Sequence, residues 1–285
     1  MSGPTIGRLG DGRLHLQYGP IDLVVTADGN LDEVRRSESA MERRFATVLD
    51  ELVDELALLR ADVESLPKAR GETARRMVIA TGDVRGDDFA TSMVAVAGSV
   101  ADTIADAGWK SASLRRLIVN NGGDVALRQL PTETITIGVV DDVTTGRLAG
   151  RLHVAGDSGV GGVATSGWGG RSFSFGVADA VTVLAGTAAH ADAAATLIAN
   201  MVDLPGHAAV VRRRACDIKH DSDLGERLVT CGVGELTDDE VERALEAGEG
   251  RAATMLATGY VKGVVLCLRG RRRVVLPPGA SLATH

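Results

Sequence analysis

Aromatic rings are what this sequence has least of. Four Phe, two Trp and two Tyr are all it carries in 285 residues, so a core must be built from Val, Leu, Ile and Ala. Cysteine is nearly as scarce. Cys216, Cys231 and Cys267 are odd in number and widely spaced, with no Cys-x-x-Cys. That excludes a disulfide framework and suits free thiols in a reducing compartment. No run of about 18 apolar residues occurs, so no membrane-spanning helix is expected. Met1 to Leu9 has no apolar stretch of the signal-peptide kind. Positive charge is also in deficit: 31 Lys and Arg face 38 Asp and Glu, a net charge of −7, which excludes a nucleic-acid footprint over the whole chain. The one basic run, Arg269 to Arg273 with Gly270 inside it, reads as a solvated strand end. The chain is therefore expected to be cytoplasmic, with no nucleic-acid or membrane partner.

Glycine is present in excess, at 35 of 285 residues against a usual level of roughly 7%. No collagen-like period occurs, so the excess must serve loops and close backbone approaches. The chain order mixes helices and strands without strict alternation. Arg13 to Tyr18 and Ile21 to Val25 flank Gly19-Pro20 as an N-terminal hairpin. A long helix is expected over Asp32 to Ser65, stopped by Pro67. Its stripe is Phe45, Val48, Leu49, Leu52, Val53, Leu56 and Leu59. A small-residue helix over Phe89 to Ala107 reads as closely packed. Strands follow at 116–120, 134–140, 147–155 and 180–184, then a helix over Asp192 to Met201. Thr237 and Glu240 form a capping box before the last helix, Gly259 ends it, and Val261 to Leu268 is a strand. No internal repeat is visible. The expectation is an α+β fold with mixed or antiparallel sheets and packed helices, as one domain over 1–285.

Four features carry chemistry. The window Gly156 to Gly176 holds eight glycines, three of the eight rings (Trp168, Phe173, Phe175), several hydroxyls and Arg171. Bare backbone N–H groups beside hydroxyls can cradle an anion. Asn120-Asn121-Gly122-Gly123-Asp124 follows a strand and taken alone reads as a two-glycine turn; the functional alternative is a backbone that lets a flat ligand come close. Asp192 and Thr196 are four apart and share a helix face. Together they could offer oxygen ligands for Mg²⁺ beside a phosphate loop, but taken alone Asp192 reads as a first-turn residue that favours the helix dipole. Gly98-x-x-x-Asp102 reads as a close-packing glycine with an exposed Asp. His190 beside Asp192 is a weaker candidate base. His207, His220, Asp221 and Asp223 read as a polar loop.

Taken in order, these pieces resemble the ApbE superfamily, whose best-known members are FAD:protein FMN transferases. The matching residues are Gly98 and Asp102; Gly122, Gly123 and Asp124; Thr165, Ser166 and Gly167; and Ala191, Asp192 and Thr196. The resemblance covers roughly residues 90 to 205 and is similar to an uncharacterised branch of shorter cytoplasmic proteins. It implies a T-fold-related, two-lobed domain with an FAD-sized pocket between the lobes. It implies flavin or nucleotide near Gly122, Gly123, Asp124, Thr165, Ser166, Gly167, Trp168 and Arg171, and Mg²⁺ on Asp192 and Thr196. Two departures stand out. The family's lysine before Gly98 is Ala97, and its His-x-Ile-Asp-Pro segment is replaced by 172–179. The transferase would thereby lose a cation and a His-Asp pair.

The expected function is binding of a flavin, nucleotide-like or small anionic ligand. Metal-assisted group transfer or hydrolysis would follow, but not standard FMN transfer. The alternatives are a non-catalytic flavin or metabolite carrier, or an accessory protein whose long helix is a partner surface. A homo-oligomer is left open.

Overall fold

The computed structural model describes residues 3–63 and 68–277. Thirteen strands are described: β1 (Thr5–Arg8), β2 (Leu14–Tyr18), β3 (Ile21–Gly29), β4 (Leu114–Asn121), β5 (Asp124–Gln129), β6 (Thr134–Asp142), β7 (Arg147–Ala155), β8 (Gly162–Ser166), β9 (Ala180–Ala185), β10 (Val210–Arg214), β11 (Leu228–Val233), β12 (Val261–Leu268) and β13 (Arg271–Val275). The helices are α1 (Leu31–Asp54), α2 (Leu56–Leu59), α3 (Glu72–Arg85), α4 (Val96–Ser111), α5 (Ala188–Met201), α6 (Ala215–Ile218) and α7 (Asp238–Ala257), with a 3₁₀ turn at Ser92–Ala95. The fold class is α+β.

Nine strands form one sheet in the order β1-β2-β3-β4-β5-β8-β9-β12-β13, antiparallel at every pairing. Two halves are legible in it. The first runs β2, β3, α1, α4, β4, β5, and the second runs β8, β9, α5, α7, β12, β13, so each is two strands, two main helices and two strands. No repeat shows in the sequence because the equivalence is one of topology, with α2 and α3 inserted in the first half and β10, α6 and β11 in the second.

Helices α1, α4, α5 and α7 cover one face of the sheet. The β6–β7 hairpin covers part of the other. Strand alternation divides the apolar residues accordingly. Ala126, Ala164, Val181 and Val183 join the core under the helices. Val125, Leu127, Val163 and Leu184 pack beneath Ile135, Val139, Leu152 and Val154 of the hairpin. β9 is buried at every position, as expected of a strand covered on both faces.

Local chemistry sets the element ends. Asn30 caps α1 by accepting from the Asp32 N–H, and Asp32 and Glu33 favour the dipole there. Thr237 and Glu240 form both arms of a capping box on α7. The stripe of α1 is core: Phe45 and Val48 are fully buried, and Leu49 and Leu52 nearly so. The apolar face of this helix thus packs in the core, and Val53, in its last turn, is the exposed residue of the stripe within α1. α1 ends at Asp54, where the Glu55 N–H turns back to the Leu52 and Val53 carbonyls. The expected end at Ser65 and the stop at Pro67 lie outside the described residues. The basic run is the β12–β13 turn and an edge strand, with Arg271 on Asp238 and Arg273 on Glu242 and Glu249. All three cysteines are free. Among the described residues, no helix is long and apolar enough to cross a membrane.

Candidate functional site

The sheet has a weak seam. β5 and β8 pair only at Val125–Val163 and Ala126–Gly162, whereas β8 pairs with β9 along its full length. Beyond Val125 the strands part, and a cavity of about 840 Å³ opens in the rift. Its apolar side is Ile118, Val125, Val163 and the hairpin residues Ile135 and Ile137. Its polar side is the Gly122–Gly123 turn, Asp124, Thr165, Ser166, Arg171, Asp192 and Thr196. A ligand with one flat apolar part and one anionic part matches such walls.

The turn between β4 and β5 is a two-glycine hairpin. Asn120 holds it by accepting the Gly123 N–H at 2.8 Å, and Asn121 donates to the Ala97 carbonyl at 3.1 Å. Gly122 has φ +64, which a side chain rarely tolerates. A Cβ there would also strike the Arg171 guanidinium. Arg171 is therefore laid against the turn, on the cavity rim.

Two carboxylates face the same space. Alternation sends Asp124 to the helix side of the sheet, towards Asp192 on α5. Asp192 is the fifth residue of α5, beyond its first turn, so it does not serve its own helix dipole. Its Oδ2 instead accepts the Gly98 N–H at 2.9 Å, in the first turn of α4, which has no side-chain cap of its own. Both carboxylates are partly buried and line the cavity. Burial accordingly raises Asp124 to about 7, with Arg171 pulling it partly back. Asp192 is held well above the usual carboxylate range by burial first and by the Asp124 charge second, with the α4 N–H groups opposing.

Asp102 differs from its sequence reading. It is fully buried. Oδ2 accepts the Ala189 N–H at 2.9 Å and Oδ1 takes Arg128 Nη2 at 3.0 Å. Arg128 also reaches Asp106 at 2.7 Å, and burial of this network is offset by its opposite charges. Gly98 is close-packed as expected: a Cβ would enter the Ala188 carbonyl of α5.

A family model described as AbpE bacteria matches residues 6–274. This chain belongs to that family. The UPF0280 protein of Methanosarcina barkeri is 30% identical to the AbpE-family chain over 192 residues, 67% of the chain and 72% of the relative. That of Methanopyrus kandleri is 40% identical over 121 residues, 42% and 47% respectively. That of Methanocaldococcus jannaschii is 39% identical over 109 residues, 38% and 43%. The chain spans about half the length of the last two. Among solved structures, apo flavinyl transferase ApbE of Pseudomonas stutzeri aligns with TM-score 0.44 and 13% identity over 95% of this chain and 93% of that one. The flavin transferase ApbE of Vibrio cholerae aligns with TM-score 0.32 and 13% identity over 95% and 96%. Likenesses this remote say nothing of ligand or chemistry.

In the AbpE-family chain the ordered motifs converge. Gly122, Gly123, Asp124, Thr165, Ser166, Gly167, Arg171, Asp192 and Thr196 all line the cavity. Trp168 does not: its indole Nε1 donates to Asp179 Oδ1 at 3.2 Å. Phe175 packs on Phe89 instead, and among the described residues the cavity lining holds no aromatic ring. The glycine window is also less of a loop than expected, since β8 runs through it. His190 turns away from the cavity to Thr187 (Nδ1, 2.7 Å) and Asp83 (Nε2, 3.0 Å) and stacks on Tyr260; Thr187 is the N-cap of α5, so this relay is a helix cap. The polar loop disperses: His207 meets Glu240, Asp221 meets Arg60 and Asp223 meets Thr91. Sequence reasoning missed the hairpin wall and Ala97 as lining. Ile135 and Ile137 signalled the former by alternating along a strand after the Gly122–Gly123 turn.

Proposed function

We propose that this protein binds a phosphate-bearing, flavin- or nucleotide-like ligand in the sheet rift, and that Asp192 and Thr196 hold Mg²⁺ beside it. The observation that carries the reading is the carboxylate pair Asp124 and Asp192 on the cavity wall, which Arg171 and the α4 N–H groups offset only in part and whose lining also includes Thr196. Two carboxylates brought together in a buried site hold a proton at low pH and, once ionised, favour a cation. The donors are all oxygen, which fits a hard divalent ion that keeps phosphate oxygens among its partners.

Bound there, Mg²⁺ would neutralise charge developing on a phosphate. The protein's own residues do the rest. Arg171 and the Gly122–Gly123 turn orient the anionic part. Ile118, Ile135 and Ile137 exclude water from the apolar part. Among the described residues the cavity lining holds no histidine, cysteine or lysine, so a proton removed from an attacking hydroxyl or water would go to Asp124, the lining carboxylate not assigned to the ion. The reaction class supported is group transfer or hydrolysis at a phosphate. Ala97 in the wall favours one second reading, a non-catalytic carrier, because the resemblance places a lysine there.

Thermal melting with FAD, FMN and ADP, each with and without Mg²⁺, tests the reading. A Mg²⁺-enhanced rise with at least one of them is expected; no shift with any of the three contradicts it. Product analysis of the binding ligand then separates enzyme from carrier.

A further inference from the structure

Asp179 lies outside the cavity lining yet ties its walls together. Its Oδ1 accepts from Trp168 Nε1 at 3.2 Å, and its Oδ2 accepts the Arg269 N–H at 2.6 Å. Its carbonyl accepts the Val143 N–H at 3.1 Å, and its N–H donates to the Cys267 carbonyl at 3.0 Å. Val143 belongs to the cavity side of the β6–β7 tip. Trp168 sits inside the Gly167–Gly170 turn, which the Gly170 N–H closes on the Gly167 carbonyl at 3.1 Å. Burial raises the Asp179 pKa, and its two N–H donors work against this.

The turn ends at Arg171, whose guanidinium lies against Gly122. Its reach is set by where the turn is pinned. Two bonds pin it: the Trp168 N–H to the Ala178 carbonyl at 3.0 Å, and the indole N–H to Asp179. A loop rich in glycine has many conformations of its own, so such pins decide whether Arg171 is preorganised.

We infer that Trp168 and Asp179 are positioning residues for anion binding: they hold the Gly167–Gly170 turn so that Arg171 closes over the Gly122–Gly123 turn on a phosphate or pyrophosphate group. The inference rests on the phosphate-bearing reading of the cavity. It assigns a purpose to the one ring of the glycine window that keeps a polar bond to the wall.

Calorimetric titration of the full chain with inorganic pyrophosphate, and separately with Mn²⁺, tests it. The variants are Trp168→Phe, which removes a single N–H donor, Asp179→Asn and Arg171→Gln. Loss of one bond to a charged acceptor predicts pyrophosphate binding weakened by about three- to tenfold in the first two, with Arg171→Gln at least as weak, and Mn²⁺ binding unchanged in all three. In a Trp109→Phe background, Trp168 emission is expected to shift on pyrophosphate addition. Unchanged pyrophosphate affinity in Trp168→Phe, when Arg171→Gln loses it, overturns the positioning role alone. Parallel loss of pyrophosphate and Mn²⁺ does so too, since it marks general loosening. No pyrophosphate binding by the unaltered chain overturns the phosphate-bearing reading itself.

Discussion

Asp192 and Asp102 cap each other's helices. Asp192 on α5 accepts the Gly98 N–H of α4, and Asp102 on α4 accepts the Ala189 N–H of α5, each at 2.9 Å. Each carboxylate also has an oxygen-bearing neighbour four residues on, Asp106 and Thr196. The two sites then diverge. Asp102 and Asp106 receive the guanidinium of Arg128, whereas Asp192 faces Asp124 and the cavity. One half of the crossing is neutralised by an arginine of the chain, and the other faces the cavity.

The crossing depends on Gly98. Any side chain there meets the Ala188 carbonyl, which is backbone and cannot move aside alone. Gly98→Ala is expected to cost about 1–3 kcal/mol through overpacking, a fall in Tm of roughly 2–4 °C per kcal/mol for a chain of this size. Circular dichroism melting checks it, and a Tm within one degree or so of the unaltered chain contradicts the tight crossing.

Arg128 is predicted to be structural. Arg128→Met leaves Asp102 buried without its counter-charge, which costs about 3–5 kcal/mol. Urea unfolding measures this directly. The companion Arg128→Met, Asp102→Asn variant is expected to recover part of the loss, because the uncompensated charge is gone; no recovery would place the cost elsewhere.

How far the sequence reached can be argued from single elements. β7 was legible to the residue, and so was the capping box on α7, because both are written in adjacent side chains. β8 was hidden: Gly162-Val163-Ala164-Thr165-Ser166 has weak strand character and extends because α5 packs directly on Gly162. Three of the four ordered motifs contribute residues to the cavity lining, at Gly122 to Asp124, Thr165 to Gly167, and Asp192 with Thr196, whereas Gly98 and Asp102 do not line it. The exposure expected of Asp102 failed because nothing local announces Arg128. The place of Trp168 failed for a similar reason, as its partner Asp179 lies across the turn. The meeting of Asp124 with Asp192 is a product of tertiary folding, visible only when β5 is laid over α5.

The carboxylate pair sets a pH dependence. Asp124 titrates near 7 in the fold, and Asp192 is also raised; unfolded, each sits near 3.9. Between these values the folded chain holds more protons than the unfolded one, so their contribution is present below about pH 4 and is lost as pH rises through about 7. In EDTA, the unaltered chain should therefore lose Tm between pH 5 and pH 8 relative to the Asp124→Asn, Asp192→Asn variant. Mg²⁺ at pH 8 should restore it, because a cation held on Asp192 offsets the charge of the deprotonated pair. Parallel pH profiles for the two proteins would contradict the shared burial.

The central claim is a ligand site completed by a cation on Asp192 and Thr196. Calorimetric titration of FAD into the unaltered chain and into Asp192→Asn, each with Mg²⁺ and with EDTA, tests it most directly. The account predicts binding near one FAD per chain that Mg²⁺ strengthens in the unaltered protein and leaves unchanged in Asp192→Asn. Equal Mg²⁺ enhancement in both proteins, or no binding of FAD, FMN or ADP by the unaltered chain, would contradict it.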